Sequence, residues 1–139
     1  MRRLMLPLLL LCCIIARAQS DCHIEPLFVK YAVQDNATEV LMSGKALKAY
    51  RLRLFHSLEI RMPGDAEVAD IERSVRSDAR TAICHEQNEQ DGRLLYGLYE
   101  LKSKKKYAYI FYRYTPARVT LIYLQGPATV EELRAFFKK

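Results

Sequence analysis

The stretch that decides the fold is RLLYGLYELKSKKKYAYIFYRYTPARVTLIYLQ, residues 93–125. β-Branched and aromatic side chains dominate three runs within it, at residues 93–101, 107–114 and 118–125. The first two runs are separated by the basic residues 102–106, and the last two by Thr115-Pro116-Ala117. Extended runs joined by short polar turns predict a C-terminal β-meander.

Upstream of the meander, the sequence alternates between helix and strand signals. The pattern predicts short helices over residues 25–34 and 45–53, and strands over residues 38–42, 58–62 and 82–87. Val68, Ile71, Val75 and Ala79 recur at three- and four-residue spacing after Asp65, which predicts an amphipathic helix. At the C-terminus, Thr129-Val130-Glu131-Glu132 is a capping box that opens a last helix.

These signals predict an α+β fold. We expect a single small domain with a mostly antiparallel sheet, a C-terminal β-meander and helices packed on one face of the sheet. The length of 139 residues allows one such domain, and a composition of 50% apolar and 27% charged residues excludes a disordered or collagen-like chain.

The N-terminus has the pattern of a secretory signal peptide. Met1-Arg2-Arg3 precedes an apolar run over residues 4–15, and Ala16-Arg17-Ala18 is a small-residue cleavage site. We therefore expect residues 1–18 to be removed and residues 19–139 to form a periplasmic or secreted domain with no transmembrane segment. Cleavage lowers the formal net charge from +6 to +3, because three arginines are lost.

A lipoprotein is not a convincing alternative, because no cysteine follows a small residue: Leu11 precedes Cys12, Cys12 precedes Cys13 and Asp21 precedes Cys22. The predicted mature chain retains only Cys22 and Cys84, and an oxidising compartment favours a disulfide between them.

The residues around these two cysteines also allow an alternative interpretation. The protein would then be a hydrolase or a thiol- or metal-dependent enzyme with a site around His23, Cys84 and His85. We expect no metal site, since the spacing fits no structural zinc motif and a disulfide would occupy both thiols. The sequence has no Gly-rich phosphate loop, nucleophile elbow or Cys-x-x-Cys motif, so no catalytic residue and no cofactor are predicted.

The basic turn and the tyrosines beside it are the candidate interaction surface. Tyrosine is enriched at protein interfaces, and a cluster of lysines attracts anionic groups. An exposed tyrosine face is one interpretation, and a core plus an ordinary surface is the other. Export removes the chain from most nucleic acid, so no nucleic-acid partner is expected. The surface comprises Tyr107, Tyr109, Tyr112, Tyr114, Lys104, Lys105 and Lys106.

The order of these features resembles that of small secreted Bacteroidota proteins grouped as domain of unknown function 4252, and of an apparently related group numbered 6108. The resemblance rests on the signal peptide, on SLEIR at residues 57–61 before a charged helix, on LYEL at residues 98–101, and on VTLIYLQG at residues 119–126 before a short acidic helix. It implies a periplasmic or surface protein, and it carries over no catalytic residues. The cysteine pair and the many Tyr and Arg residues depart from the usual pattern.

The sequence therefore predicts a non-catalytic binding or protein-interaction module of the cell envelope, which uses the face or an edge of its sheet. Its partner would be another envelope protein or a second copy, with an anionic surface such as lipid head groups or acidic glycans as a further possibility. The alternatives are the enzyme around His23, Cys84 and His85, and an accessory to envelope stress signalling.

Overall fold

One antiparallel sheet of six strands forms the centre of the structure, a computed structural model that describes residues 22–102 and 107–137. Along the chain, the elements are α1 (Glu25–Ala32), β1 (Ala37–Ser43), a 3-10 helix (Lys45–Tyr50), β2 (Leu54–Arg61), α2 (Asp65–Ala79), β3 (Ala82–Gln90), β4 (Arg93–Leu101), β5 (Ala108–Thr115), β6 (Arg118–Gln125) and α3 (Val130–Phe137).

The strand order is β1-β2-β6-β5-β4-β3. The predicted C-terminal meander is confirmed, because β3, β4, β5 and β6 pair in sequence order and antiparallel. The tight turn of the first hairpin is Asp91-Gly92, with φ of 53° and 79°. Positive φ at both positions is the geometry that suits the twist of a two-residue hairpin. Strand β3 therefore extends to Gln90, three residues beyond the predicted end at residue 87.

Strand β2 begins at Leu54, four residues before the predicted start, and the preceding 3-10 helix ends at Tyr50 instead of continuing to Arg53. The reason lies in the partner strand. All eight residues of β2 pair with β6, and the Arg53 amide donates a hydrogen bond of 2.7 Å to the carbonyl oxygen of Gln125. Tertiary pairing therefore outweighs the local helix propensity of residues 51–53.

Helices cover both faces of the sheet, which corrects the predicted one-faced packing. The first core lies between the sheet and helices α1 and α2, and it includes Leu27, Phe28, Ile71, Val75, Leu58, Ile110 and Tyr112. The second core lies on the opposite face, under the 3-10 helix and α3, and it includes Leu47, Leu52, Leu133, Tyr109, Phe111, Ile122 and Leu124.

The physical reason is visible in the first five residues of β5, 108–112, where neighbouring residues point to opposite faces and all are apolar or aromatic. Tyr109 and Phe111 enter the second core, whereas Ile110 and Tyr112 enter the first. A strand that is buried on both sides is typical of a central strand with helices on each face. Among the described residues, no helix has the length and apolar character needed to span a bilayer.

Candidate anion-binding site

One end of the sheet brings together four chain segments from three distant parts of the sequence. The strand register places one residue from each of four neighbouring strands in a single row at this end: Leu54, Gln125, Ala108 and Leu101. The residues just beyond this row therefore also lie at the same end. These are Arg53 before β2, Gly126 after β6, Tyr107 before β5 and Lys102 after β4.

Backbone hydrogen bonds hold these segments together. The Gly126 amide donates to the Tyr107 carbonyl oxygen at 2.9 Å, and the Ala128 amide donates to the Arg51 carbonyl oxygen at 3.0 Å. Gly126 has φ of 151°, and a β-carbon there would lie 2.5 Å from the Leu52 Cα atom. Only glycine allows this close approach of two backbones, so the position of the segment 51–53 depends on residue 126.

An open groove with a volume of about 350 Å³ lies at this junction. We call it the basic groove. It is formed by three cations, two apolar residues and one aromatic ring: Lys48, Arg51, Arg53, Leu52, Pro127 and Tyr107.

The cations of the basic groove are incompletely neutralised. Arg51 donates to a carboxylate oxygen of Glu132 at 3.0 Å. Lys48 and Arg53 have no ion-pair partner within residues 22–102 and 107–137, and both side chains are exposed. Elsewhere on the surface, Arg76 contacts two carboxylates, Glu72 and Glu89. The groove therefore has an excess of positive charge that is available to a ligand.

Among the four tyrosines of the predicted surface, Tyr107 is the most exposed, with 47% of its area accessible. Its φ is 65°, and the left-handed conformation costs a non-glycine residue about 1 kcal/mol. The hydrogen bond from Gly126 and the start of β5 hold it there. Strained residues of this kind cluster at ligand sites.

The other predicted tyrosines do not form an exposed face, and that part of the prediction is wrong. Tyr109 is 4% exposed and Tyr112 is fully buried, because the two cores take opposite sides of β5. Tyr114 is half-buried and packs near the Arg93 guanidinium, at 5.0 Å from the ring centroid. Lys104, Lys105 and Lys106 lie outside the described residues.

An apolar groove adjoins the basic groove and shares Arg51 and Leu52 with it. It lies between the 3-10 helix and α3 and has a volume of about 320 Å³. The rings of Tyr50 and Phe136 meet there edge to face, 5.5 Å apart, and both remain partly exposed. A ligand in the basic groove would thus have apolar surface beside it.

Comparison with known proteins gives one match. A family model described as a family of unknown function (DUF6108) matches residues 11–137. The chain belongs to this family. Searches of the curated proteins and of the solved structures found no match. The finding agrees with the second of the two groups that the sequence resembles, whereas a relation to domain 4252 and a source in Bacteroidota stay predictions.

The DUF6108 chain does not bring His23, Cys84 and His85 into one cluster. The His23 imidazole lies 2.9 Å from Asp78, and the His85 imidazole lies 2.8 Å from Glu100. Cys84 pairs across the sheet with Tyr99 instead. Within the described part of the chain, no three His, Cys, Asp or Glu residues are grouped so that they could hold a metal ion.

The structure of this DUF6108 member contains no disulfide bond between Cys22 and Cys84. Cys22 is half-buried and packs against the first core. Cys84 is exposed on β3, at an edge of the sheet. The pairing of the two cysteines therefore stays a prediction.

The sequence predicted one residue of the basic groove, Tyr107. It did not predict Lys48, Arg51, Arg53 or Pro127. The available signal was the basic character of residues 45–53, where four of nine residues are Lys or Arg. Interpreted as a helix surface, these charges have no special meaning. These residues line a common groove only because β2 pairs with β6, which brings residue 53 to the end of the meander.

Proposed function

We propose that this protein is a secreted, non-catalytic binding domain of the cell envelope, whose basic groove takes an anionic group of its ligand. The observation that carries the proposal is that Lys48 and Arg53 line the groove without an ion-pair partner among the described residues. Both cations are exposed and lack a protein carboxylate, so an anion that enters the groove can form a charge-assisted hydrogen bond with each of them.

The chemistry of the groove favours a compact, oxygen-bearing anion such as a phosphate, a sulfate or a carboxylate. The Arg53 guanidinium can hold two oxygens of such a group, whereas Lys48 acts as a point charge. Tyr107 lines the same groove, and a tyrosine hydroxyl is able to donate a further hydrogen bond. The adjoining apolar groove suits a ligand whose anionic group is attached to an apolar part.

The envelope location in this proposal is supported by the sequence pattern of residues 1–18, and by the four lysines at residues 102–106 that follow β4. In the sequence these lysines come directly before Tyr107, and their positive charge attracts anionic ligands. The non-catalytic role is supported by the contacts of His23 and His85, since each imidazole is hydrogen-bonded to a different carboxylate, Asp78 or Glu100. A role in envelope stress signalling remains compatible with binding and would be tested by the identity of neighbouring genes.

The proposal is tested by mapping where an anion binds. The 15N-labelled protein is titrated with inorganic phosphate while sodium chloride keeps the ionic strength constant. We expect saturable shifts of the backbone amides of residues 51–53, 107 and 126, because these line or support the groove. Shifts that do not saturate, or that centre on another part of the surface, would contradict the proposal.

A further inference from the structure

Strand β1 is an edge strand whose outer side is open. All seven of its residues pair with β2 in an unbroken register, from Ala37 opposite Ile60 to Ser43 opposite Leu54. In the part of the chain that the structure describes, no strand lies on its other side. Alternate amide and carbonyl groups of β1 therefore point away from the sheet, as they do on any edge strand.

The side chains of β1 are unusually apolar for such an edge. Val40, Leu41 and Met42 are 38%, 63% and 39% exposed. Helix α1 packs against β1 and β2, and two further apolar residues are exposed there: Val29 on the helix and Val33 directly after it. Five of the ten large apolar residues that are exposed in the described chain thus lie between residues 29 and 42, which marks this segment as an interaction surface.

The opposite edge of the sheet is protected in ways that β1 is not. Strand β3 has register shifts between Cys84 and Glu86 and between Asn88 and Glu89. Bulges and charged residues are the usual devices that prevent an edge from pairing with another chain. Strand β1 contains no bulge, no proline and no lysine. Its one charged residue, Glu39, is held by His56 at 2.7 Å.

We propose that β1 pairs antiparallel with β1 of a second copy, so that the two sheets join across a two-fold axis at Leu41. This register places Leu41 opposite its own symmetry mate and Val40 opposite Met42 of the other copy. Glu39 then lies opposite Ser43 of the other copy, and the two Glu39 residues are about 13 Å apart along the strands. The sequence of β1 is therefore self-complementary, as a two-fold interface requires.

Helix α1 completes this interface. A two-fold axis perpendicular to the joined sheet keeps both copies of α1 on the same face, on either side of the new strand pair. A stable interface needs more than about 1,000 Å² of buried surface, which a single strand pair does not supply. Helix α1 packs against β1 and β2, and Val29 on this helix and Val33 directly after it are exposed apolar residues that can enlarge the interface. A second copy fits better than an unrelated extended peptide, because a peptide would leave these valines exposed.

The test is sedimentation equilibrium of the protein from micromolar to submillimolar concentration, with one variant at each edge of the sheet. We expect a monomer–dimer equilibrium, and we expect Leu41→Lys to raise the dimer dissociation constant at least about tenfold. Ile83→Lys is the matched control, because Ile83 is an exposed apolar residue on the opposite edge strand β3. It should leave the dissociation constant unchanged.

Amide hydrogen exchange of the unmodified protein gives a second measurement that does not depend on a variant. Dimer formation should slow the exchange of alternate amides in residues 37–43 as the protein concentration rises. A monomer at every concentration would overturn the proposal. So would a dimer that withstands Leu41→Lys and dissociates in Ile83→Lys, or one whose β1 amides exchange at the same rate at all concentrations.

Discussion

The phenol ring of Tyr99 lies directly over Gly97, two residues earlier on the same strand. A β-carbon on Gly97 would lie 2.5 Å from a ring carbon of Tyr99 and 2.6 Å from its hydroxyl oxygen. The ring is held in this position because its hydroxyl donates to the side-chain oxygen of Gln87 on β3, at 2.7 Å. The packing of the first core therefore requires glycine at position 97, because the Tyr99 ring fills the volume that a side chain would need.

We expect Gly97→Ala to lower the free energy of unfolding by about 1–3 kcal/mol, the usual cost of overpacking a well-filled core. Urea denaturation checks this value. In a Tyr99→Leu background the same substitution should cost clearly less, because the clash is with the ring. Equal costs in both backgrounds would show that the ring is not the cause.

Burial of Tyr99 predicts a loss of stability at alkaline pH. Burial raises the pKa of Tyr99 from 10.0 to about 12, so above pH 10 the unfolded chain loses this proton before the folded chain does. Stability is therefore full below about pH 10 and falls between pH 10 and pH 12, by up to about 1.4 kcal/mol per pH unit for this group. The measurement is the urea midpoint as a function of pH. A Tyr99→Phe variant should show a weaker decline, and an identical decline would contradict the assignment.

Two buried tyrosines of β5 provide a matched pair of substitutions. The Tyr112 hydroxyl is buried and has no hydrogen-bond partner in the described residues, whereas the Tyr109 hydroxyl donates to the Ala128 carbonyl oxygen at 3.2 Å. We expect Tyr112→Phe to be neutral or to stabilise the domain by up to about 1 kcal/mol, and Tyr109→Phe to destabilise it by about 0.5–1.5 kcal/mol. Thermal and urea unfolding measure both. The opposite order would contradict these hydrogen-bond assignments.

The β-meander could be predicted from the sequence because its signals are local. Strands β4, β5 and β6 are extended runs rich in apolar and aromatic residues, and the turn before β4 contains Asp91-Gly92, a pair that favours tight hairpins. The helices on both faces could also have been inferred from β5, where Tyr109, Ile110, Phe111 and Tyr112 leave no polar side. Local sequence patterns were therefore sufficient to predict the fold class. The pattern in β5 also indicated a core on each face of the sheet, although that indication was not used.

The basic groove could not be predicted in this way, because its residues come from three separate segments. Lys48 and Arg53 precede β2, Tyr107 precedes β5 and Pro127 follows β6. Only the pairing of β2 with β6 brings them to one end of the sheet. No local periodicity in the sequence encodes a long-range strand pairing of this kind.

The processing of the chain is tested by the intact mass of the protein recovered after export. We expect a mature chain that begins at Gln19, because Ala16-Arg17-Ala18 is the predicted cleavage site. We also expect a mass lower by two hydrogen atoms before reduction, as the predicted Cys22–Cys84 disulfide requires. A chain that retains Met1, a lipidated cysteine or an unchanged mass on reduction would contradict the corresponding prediction.

The most direct test of the basic groove is the phosphate affinity of Arg53→Gln compared with that of Arg80→Gln. Both arginines are exposed and lack an ion-pair partner among the described residues, but only Arg53 lines the groove. An exposed charge pair contributes up to about 1 kcal/mol, so we expect Arg53→Gln to weaken phosphate binding about five-fold and Arg80→Gln to leave it unchanged. Equal losses in the two variants, or no loss in either, would contradict the assignment of the groove as the anion site.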